Sequence, residues 1–352
     1  MSLELTDLLT EAISRNASDL HINTGVPPAF RIDGTLVPAS DKPLTAEHAK
    51  EICFQCLSQE QVMKLDSQRT IDLAFSVGER SRVRANLFYS LDTIAGAFRV
   101  IPFIIPEPEE LGLHDCMLKI TEKARGLVLV TGVTGSGKST SLAAMIERIN
   151  RTRHDHIITI EDPIEYIYTQ KNCIINQREI GQDTSSFQSA LKYALREDPD
   201  VVLVGEMRDL ETIQNAITIA ETGHLVFATL HTNTAVQTVD RIIDVFPPHQ
   251  QPQVRTQLSF ILEGIFCQQL IPRIGGGRAL AVEALLPNSG MRNMIREGKT
   301  HQIPAQMQVG QKETEMFTMD QSLAGLVKKG LIEEKEARRK SVDVNDFNAA
   351  LR

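Results

Sequence analysis

The sequence predicts an α/β fold in two parts: an α+β segment with an antiparallel sheet, then a parallel sheet covered by helices and followed by a mostly helical C-terminal region. Three observations carry this reading. After about residue 117, short apolar runs alternate with helical periodicities, the pattern of strands buried on both faces. Between the first of these runs, Leu127–Val130, and a helical stretch lies Gly132-Val133-Thr134-Gly135-Ser136-Gly137-Lys138-Ser139, which fits G-x-x-x-x-G-K-S/T, a phosphate-binding loop. A proline-rich stretch, Pro102 to Glu110, separates this region from an earlier one and reads as a semi-rigid connection.

In the first part, Leu5, Leu8, Leu9, Ala12 and Ile13 recur at helical spacing and predict an amphipathic opening helix. Ala29 to Leu36 alternates about Asp33-Gly34, a hairpin turn signal. Thr45 to Met63 reads as one helix entered through a Thr/Glu cap. Ile71–Phe75, Arg82–Phe88 and Ile94–Ile101 read as strands. In the second part the strands are Leu127–Val130, Ile157–Ile160, Val201–Val204 and Leu225–Leu230. The helix opened at Ser139 and those over Phe187–Arg196 and Leu210–Glu221 cover them, the last closed by Gly223. From about Gly264 the chain reads as helical, with a glycine turn at Gly275-Gly276-Gly277 and two polar helices, Asp320–Lys329 and Glu333–Lys340. The expected boundaries are a first domain over 1–101, a linker over 102–116, a core over 117–270 and a helical region over 271–352.

Bulk composition narrows the function. A length of 352 residues suggests about two domains, and 42% hydrophobic with 23% charged residues is globular composition. A net charge of −8 and an aromatic content of 5% advertise neither a nucleic-acid surface nor a base-stacking channel. No apolar run approaches the roughly 20 residues of a membrane span, and the N-terminus lacks the regions of a signal peptide. Five scattered cysteines fit a reducing compartment. Cys53 and Cys56 form a lone C-x-x-C, read as helix cysteines rather than half of a zinc site.

In parallel sheets ligands bind beyond the carboxyl ends of the strands, where the glycine loop, Glu161, Glu206 and His231 all fall. The backbone of Gly132 to Gly137 and the helix start through Thr140 would present N–H groups to phosphates. Lys138 would reach the β- and γ-phosphates of ATP, and Ser139 would ligate Mg²⁺. Glu206, ending an apolar strand with no Asp directly after the run, is the first candidate to hold the metal and to align or deprotonate the attacking water. Glu161 is the second, and the role stays open between them. Asp162 and Glu165 shape the loop or hold the metal's waters. His224 and His231 bracket one strand at its opposite ends, and His231, at the active edge, would hydrogen-bond the γ-phosphate. Arg82, Arg84 and Arg99 are either solvated sheet-face arginines or donors to transferring phosphate, placed on a neighbour's nucleotide if the chain forms a ring.

Taken in order, four stretches resemble the secretion ATPase superfamily. They are Gly132–Ser139, Ile160-Glu161-Asp162-Pro163-Ile164-Glu165, Arg196-Glu197-Asp198-Pro199-Asp200 through Gly205-Glu206-Met207-Arg208-Asp209, and Thr222-Gly223-His224 through Thr229-Leu230-His231-Thr232-Asn233. They look like its Walker A, Asp box, Walker B and His box. Ser18-Asp19-Leu20-His21 and Pro27-Pro28 to Arg31-Ile32-Asp33-Gly34 are similar to the PAS-like first domain of the type IV pilus members. Gly290-Met291-Arg292-Asn293-Met294-Ile295-Arg296-Glu297 is similar to the A-I-R-N-L-I-R-E stretch of the retraction ATPases, departing at Gly290, Met291 and Met294. The paired C-x-x-C insertion common in assembly ATPases is absent from the sequence.

The resemblance implies a PAS-like domain followed by a RecA-like P-loop NTPase domain. It implies a homohexamer in the cytoplasm, peripheral at the inner membrane, that hydrolyses ATP with Mg²⁺ to power pilus retraction and twitching motility. An inner-membrane platform protein and the pilus machinery are the implied partners. Lys138 and Ser139 would hold phosphate and metal, Glu206 and Glu161 would be the Walker B and Asp box acids, and His231 and His224 the His box. Two other readings of the glycine loop are a nucleic-acid translocase, which predicts DNA-stimulated turnover and strong salt dependence, and a nucleotide-gated scaffold, which predicts binding without turnover. A retraction paralogue is also open.

Overall fold

The structure is a computed structural model that describes residues 4–32, 34–78, 81–101, 105–308 and 315–352. The chain divides into two compact units, 1–104 and 105–352.

In the first unit α1 (Leu5–Ser14) buries Leu5, Leu8, Leu9 and Ala12 on one stripe, as the spacing dictates. Six strands follow: β1 (Asp19–Ile22), β2 (Ala29–Ile32), β3 (Thr35–Pro38), β4 (Thr70–Val77), β5 (Ser81–Ser90) and β6 (Thr93–Ile101). They form one sheet in the order β3-β2-β1-β6-β5-β4, antiparallel throughout. Asp33, half of the expected hairpin signal, lies outside the described residues. Two helices stand where one was expected over Thr45–Met63: α2 (Ala46–Phe54), capped by Thr45, and α3 (Gln59–Gln68). The second has its own capping box, in which Ser58 and Gln61 satisfy each other's backbone N–H groups at 3.3 and 2.9 Å. That reciprocal pair starts a new helix where apolar periodicity alone runs on. Cys53 is buried in this unit's core, and burial pushes the thiols of Cys53 and Cys56 up to about 12.

The second unit opens with two short helices, α4 (Pro108–Leu111) and α5 (Asp115–Lys119). Within the expected linker over 102–116, Leu113 and Cys116 are buried in this unit's core. Residues 102–104 lie outside the described ones. The strands are β7 (Gly126–Thr131), β8 (His156–Glu161), β9 (Ile174–Glu179), β10 (Val201–Val204), β11 (Leu225–Leu230), β12 (Leu262–Pro272) and β13 (Arg278–Leu285). Their order is β13-β12-β7-β11-β10-β8-β9. All neighbours are parallel except the β12–β13 hairpin.

Alternate residues of the central strands serve two different cores. Leu129, Ile158, Val202, Val226 and Ala228 pack under the helices α7 (Phe187–Ala194), α8 (Leu210–Glu221), α9 (Ala235–Asp244) and α10 (Gln251–Ile261). Val128, Val130, Ile157, Leu203 and Phe227 pack on the opposite face against Leu142, Met145 and Ile149 of α6 (Lys138–Thr152). Each of these side chains other than Ala228 contributes about 1.5–3 kcal/mol by leaving water. A sheet apolar on both faces has only its strand ends left for polar chemistry.

The helical reading from Gly264 onward is corrected by β12 and β13. Residues 262–285 form an antiparallel hairpin turned at Gly275–Gly277, and it extends the sheet beside β7. The helix α10 runs directly into β12 at Ile261–Leu262, two residues ahead of Gly264, where the pairing with β7 shifts register. Helices over Met319–Lys328, Glu334–Lys340 and Val344–Leu351 then pack Leu323, Ala324, Ala337 and Phe347 on Ile271, Ala279 and Ala281 of the hairpin. No described helix is long and apolar enough to cross a membrane.

Candidate active site

Beyond Thr131 the chain turns sharply and enters α6 through the glycine loop. Gly132 has φ +140°, and a Cβ there would lie 2.5 Å from the Gln268 carbonyl oxygen and 2.6 Å from Ser136 Oγ. Gly137 caps α6 in the left-handed region, φ +89°. These two positions let the loop fold tightly and aim the helix N-terminus outward, the geometry that receives an anion. From beneath, Gln268 of β12 donates through Nε2 to Ser141 Oγ at 2.8 Å, so the hairpin missed in the sequence braces the first turn of α6.

Lys138 folds over the loop. Its Nζ donates to the carbonyl oxygens of Gly132 at 2.8 Å and Val133 at 3.2 Å. Burial lowers its pKa, against the opposing charges of Glu206 and Glu165.

A cavity of about 720 Å³ opens over the carboxyl ends of the parallel strands, within the range of small-molecule sites. Thr134, Gly135, Lys138, Ser139 and Thr140 form one wall. Glu161 at the end of β8 with Asp162 and Glu165 beyond it, Gly205, Glu206 and Arg208 after β10, and Thr229 on β11 with His231 just past its end form another. Leu270, Gly277, Arg278 and Leu280 of the hairpin close it. Of the loop residues, Ser136 is buried and Val133 faces solvent.

Two carboxylates in this cavity have opposite environments. Glu206 receives Arg208 Nη2 on Oε2 at 2.7 Å and His231 Nε2 on Oε1 at 3.1 Å. Burial works to raise its pKa, but the Arg208 hydrogen bond and the charges of His231 and Arg208 outweigh that and hold it below the ordinary carboxylate value. Among the described residues the donors to Glu161 are neutral: Thr159 Oγ1 at 2.7 Å, Gln177 Nε2 at 3.4 Å and the backbone N–H of Glu165. Burial therefore dominates, and its carboxyl is pushed up to about 7. An ionised carboxylate at neutral pH suits charge and water alignment, whereas one near 7 can pass a proton either way.

The structure brings Lys138, Ser139, Thr140, Glu161, Glu206 and His231 to one cavity. It does not bring His224 there. That side chain sits at the start of β11, with Nδ1 2.9 Å from the Ile219 carbonyl oxygen and 3.1 Å from Thr222 Oγ1, at the opposite end of the strand from His231. Arg82, Arg84 and Arg99 lie in the first unit, with Arg84 opposite Arg99 across β5 and β6. Arg99 Nε donates to Asp19 Oδ1 at 3.0 Å. Sequence reading passed over Arg208 and Arg278 as site residues. Arg208 had a usable signal, two positions after Glu206 in the same post-strand stretch. Arg278 had none, because it depends on the hairpin.

Residues 2–330 match the protein family described as Type II/IV secretion system protein. The chain is 44% identical over 345 residues to a type IV pilus retraction ATPase, PilT, of Pseudomonas aeruginosa, covering 98% of this chain and all of that one. It is 47% identical over 315 residues to a twitching motility protein of Neisseria gonorrhoeae, covering 89% of this chain and 84% of the relative. Among solved structures, the pilus retraction motor PilT with bound ADP superposes with a TM-score of 0.93 at 50% identity, covering 99% of both chains.

Proposed function

This chain belongs to the Type II/IV secretion system protein family, and on that premise we propose that it is an ATPase whose hydrolysis of ATP powers type IV pilus retraction. The observation that carries the proposal is the near full-length likeness to an ADP-bound retraction motor, in a chain whose own glycine loop, Lys138, Glu206 and His231 line one cavity. The first unit is read as PAS-like and the second as RecA-like.

The residues fit a nucleotide with its magnesium. Loop N–H groups and Lys138 would take the β- and γ-phosphates. Mg²⁺ asks for only one or two protein oxygens beside phosphate and water, and Ser139 and Glu206 line the same cavity. When bound, the ion would neutralise charge on the phosphate oxygens. Glu206, ionised at neutral pH, aligns the attacking water and accepts its proton. His231, bonded to Glu206, fixes that carboxylate's orientation. Glu161 stands as a second acid–base group. By the same reading, Arg82, Arg84 and Arg99 act in a neighbouring protomer's site within a homohexamer, which works in the cytoplasm against an inner-membrane platform protein, and His224 belongs with His231 to the His box.

Deleting the gene tests the biological half. Cells should keep their pili and lose retraction, measured as fibre shortening and twitching. Loss of all pili would instead indicate an assembly motor.

A further inference from the structure

We propose that Arg208 is a nucleotide-responsive latch: it holds Glu206 until a triphosphate arrives, then moves to the γ-phosphate and frees the carboxylate. The inference rests on the ATPase reading above and deepens it.

Three features of the cavity carry it. First, both oxygens of Glu206 are engaged, Oε2 by Arg208 at 2.7 Å and Oε1 by His231 at 3.1 Å. A carboxylate that must align water and accept its proton needs one oxygen released. Second, the two partners differ in freedom. The Arg208 side chain is 72% exposed while that of Glu206 is 19% exposed, so the arginine is the member that can move without disturbing the core. Third, carboxylates outnumber cations around the cavity. Glu110, Glu161, Asp162, Glu165 and Glu206 line it against Lys138, Arg208 and Arg278. A triphosphate entering this field needs every cation it can recruit, and a guanidinium fork matches phosphate oxygens as well as it matches a carboxylate. ADP lacks the γ-phosphate and leaves the latch closed. The device would tie release of the base to the presence of the bond to be cut.

The test compares affinities for a non-hydrolysable β,γ-imido triphosphate and for ADP, with Mg²⁺ present, in the full-length wild-type chain, R208Q, E206Q and the double variant. R208Q should weaken the imido triphosphate about tenfold, the scale of one charge-assisted hydrogen bond, and shift ADP less than about twofold. E206Q should tighten the imido triphosphate severalfold because the competing partner is gone, and this gain should vanish in the R208Q background. ADP affinity doubles as the control for folding, and R208K should recover part of the loss. Equal weakening of both nucleotides by R208Q would overturn the latch. So would an E206Q gain that persists without Arg208, since that gain would reflect lost repulsion alone. A wild-type chain that binds neither nucleotide would overturn the ATPase reading itself.

Discussion

The two sheets of this chain offer their side chains to chemistry in different ways. The antiparallel sheet of the first unit carries Asp19, Arg31 and Arg99 at facing positions on β1, β2 and β6, with Arg84 next across β5. Its polar groups occupy a sheet face. The central strands of the second sheet are buried on both faces, so Lys138, Glu161, Glu206 and His231 gather only past the strand ends. A sheet that spends both faces on packing gains a rigid rim, and a rim is where a small ligand can be held by several elements at once.

The sharpest way to break this contrast is through packing. Phe227 is fully buried in the middle of β11, so Phe227→Ala should cost about 3–5 kcal/mol in chemical denaturation. Leu36, half exposed on β3, should tolerate alanine within about 0.5 kcal/mol. Equal costs would mean that the second sheet is not the rigid frame described.

The two histidines that flank β11 test which end of the strand is active. His231→Ala removes a partner of Glu206 and should lower phosphate release about tenfold or more. His224→Ala loses hydrogen bonds at the far end, and by this chain's geometry should cost about 1 kcal/mol of stability with turnover little changed. If His224→Ala stops turnover as fully as His231→Ala, activity is not confined to the carboxyl end of the strand.

A smaller effect separates the two rim carboxylates. Glu161 titrates near 7 in the folded chain against an ordinary value of 4.5. Between these values the folded chain keeps a proton that the unfolded chain has released, so its contribution to stability is full below about 4.5 and is lost as pH rises through 7. Denaturation curves of wild type and Glu161→Gln should coincide below about 4.5, separate progressively as pH rises to about 7 and keep that gap above it, with the variant more stable. Parallel curves at every pH would show that burial does not govern this carboxyl.

Much of the rim was legible in the sequence. The apolar runs of β7, β8, β10 and β11 are short and bounded by polar turns, so Glu161, Glu206 and His231 could be placed at strand ends by counting. The rest was hidden for physical reasons. The edge strand β9 reads Ile-Ile-Asn-Gln-Arg-Glu, too polar to register as buried. The hairpin of β12 and β13 follows a helix with no connecting turn, which concealed Leu270 and Arg278. Ser58 and Gln61 split a helix through a reciprocal cap that periodicity does not see.

The central claim is that phosphate chemistry happens at this rim with Glu206 as the group that handles the attacking water. Steady-state phosphate release by the purified chain, set beside ATP binding, tests it in Glu206→Gln. The account predicts turnover reduced about 10²–10⁴-fold with ATP still bound. Turnover close to wild type in that variant, above all if Glu161→Gln abolished it, would contradict the assignment.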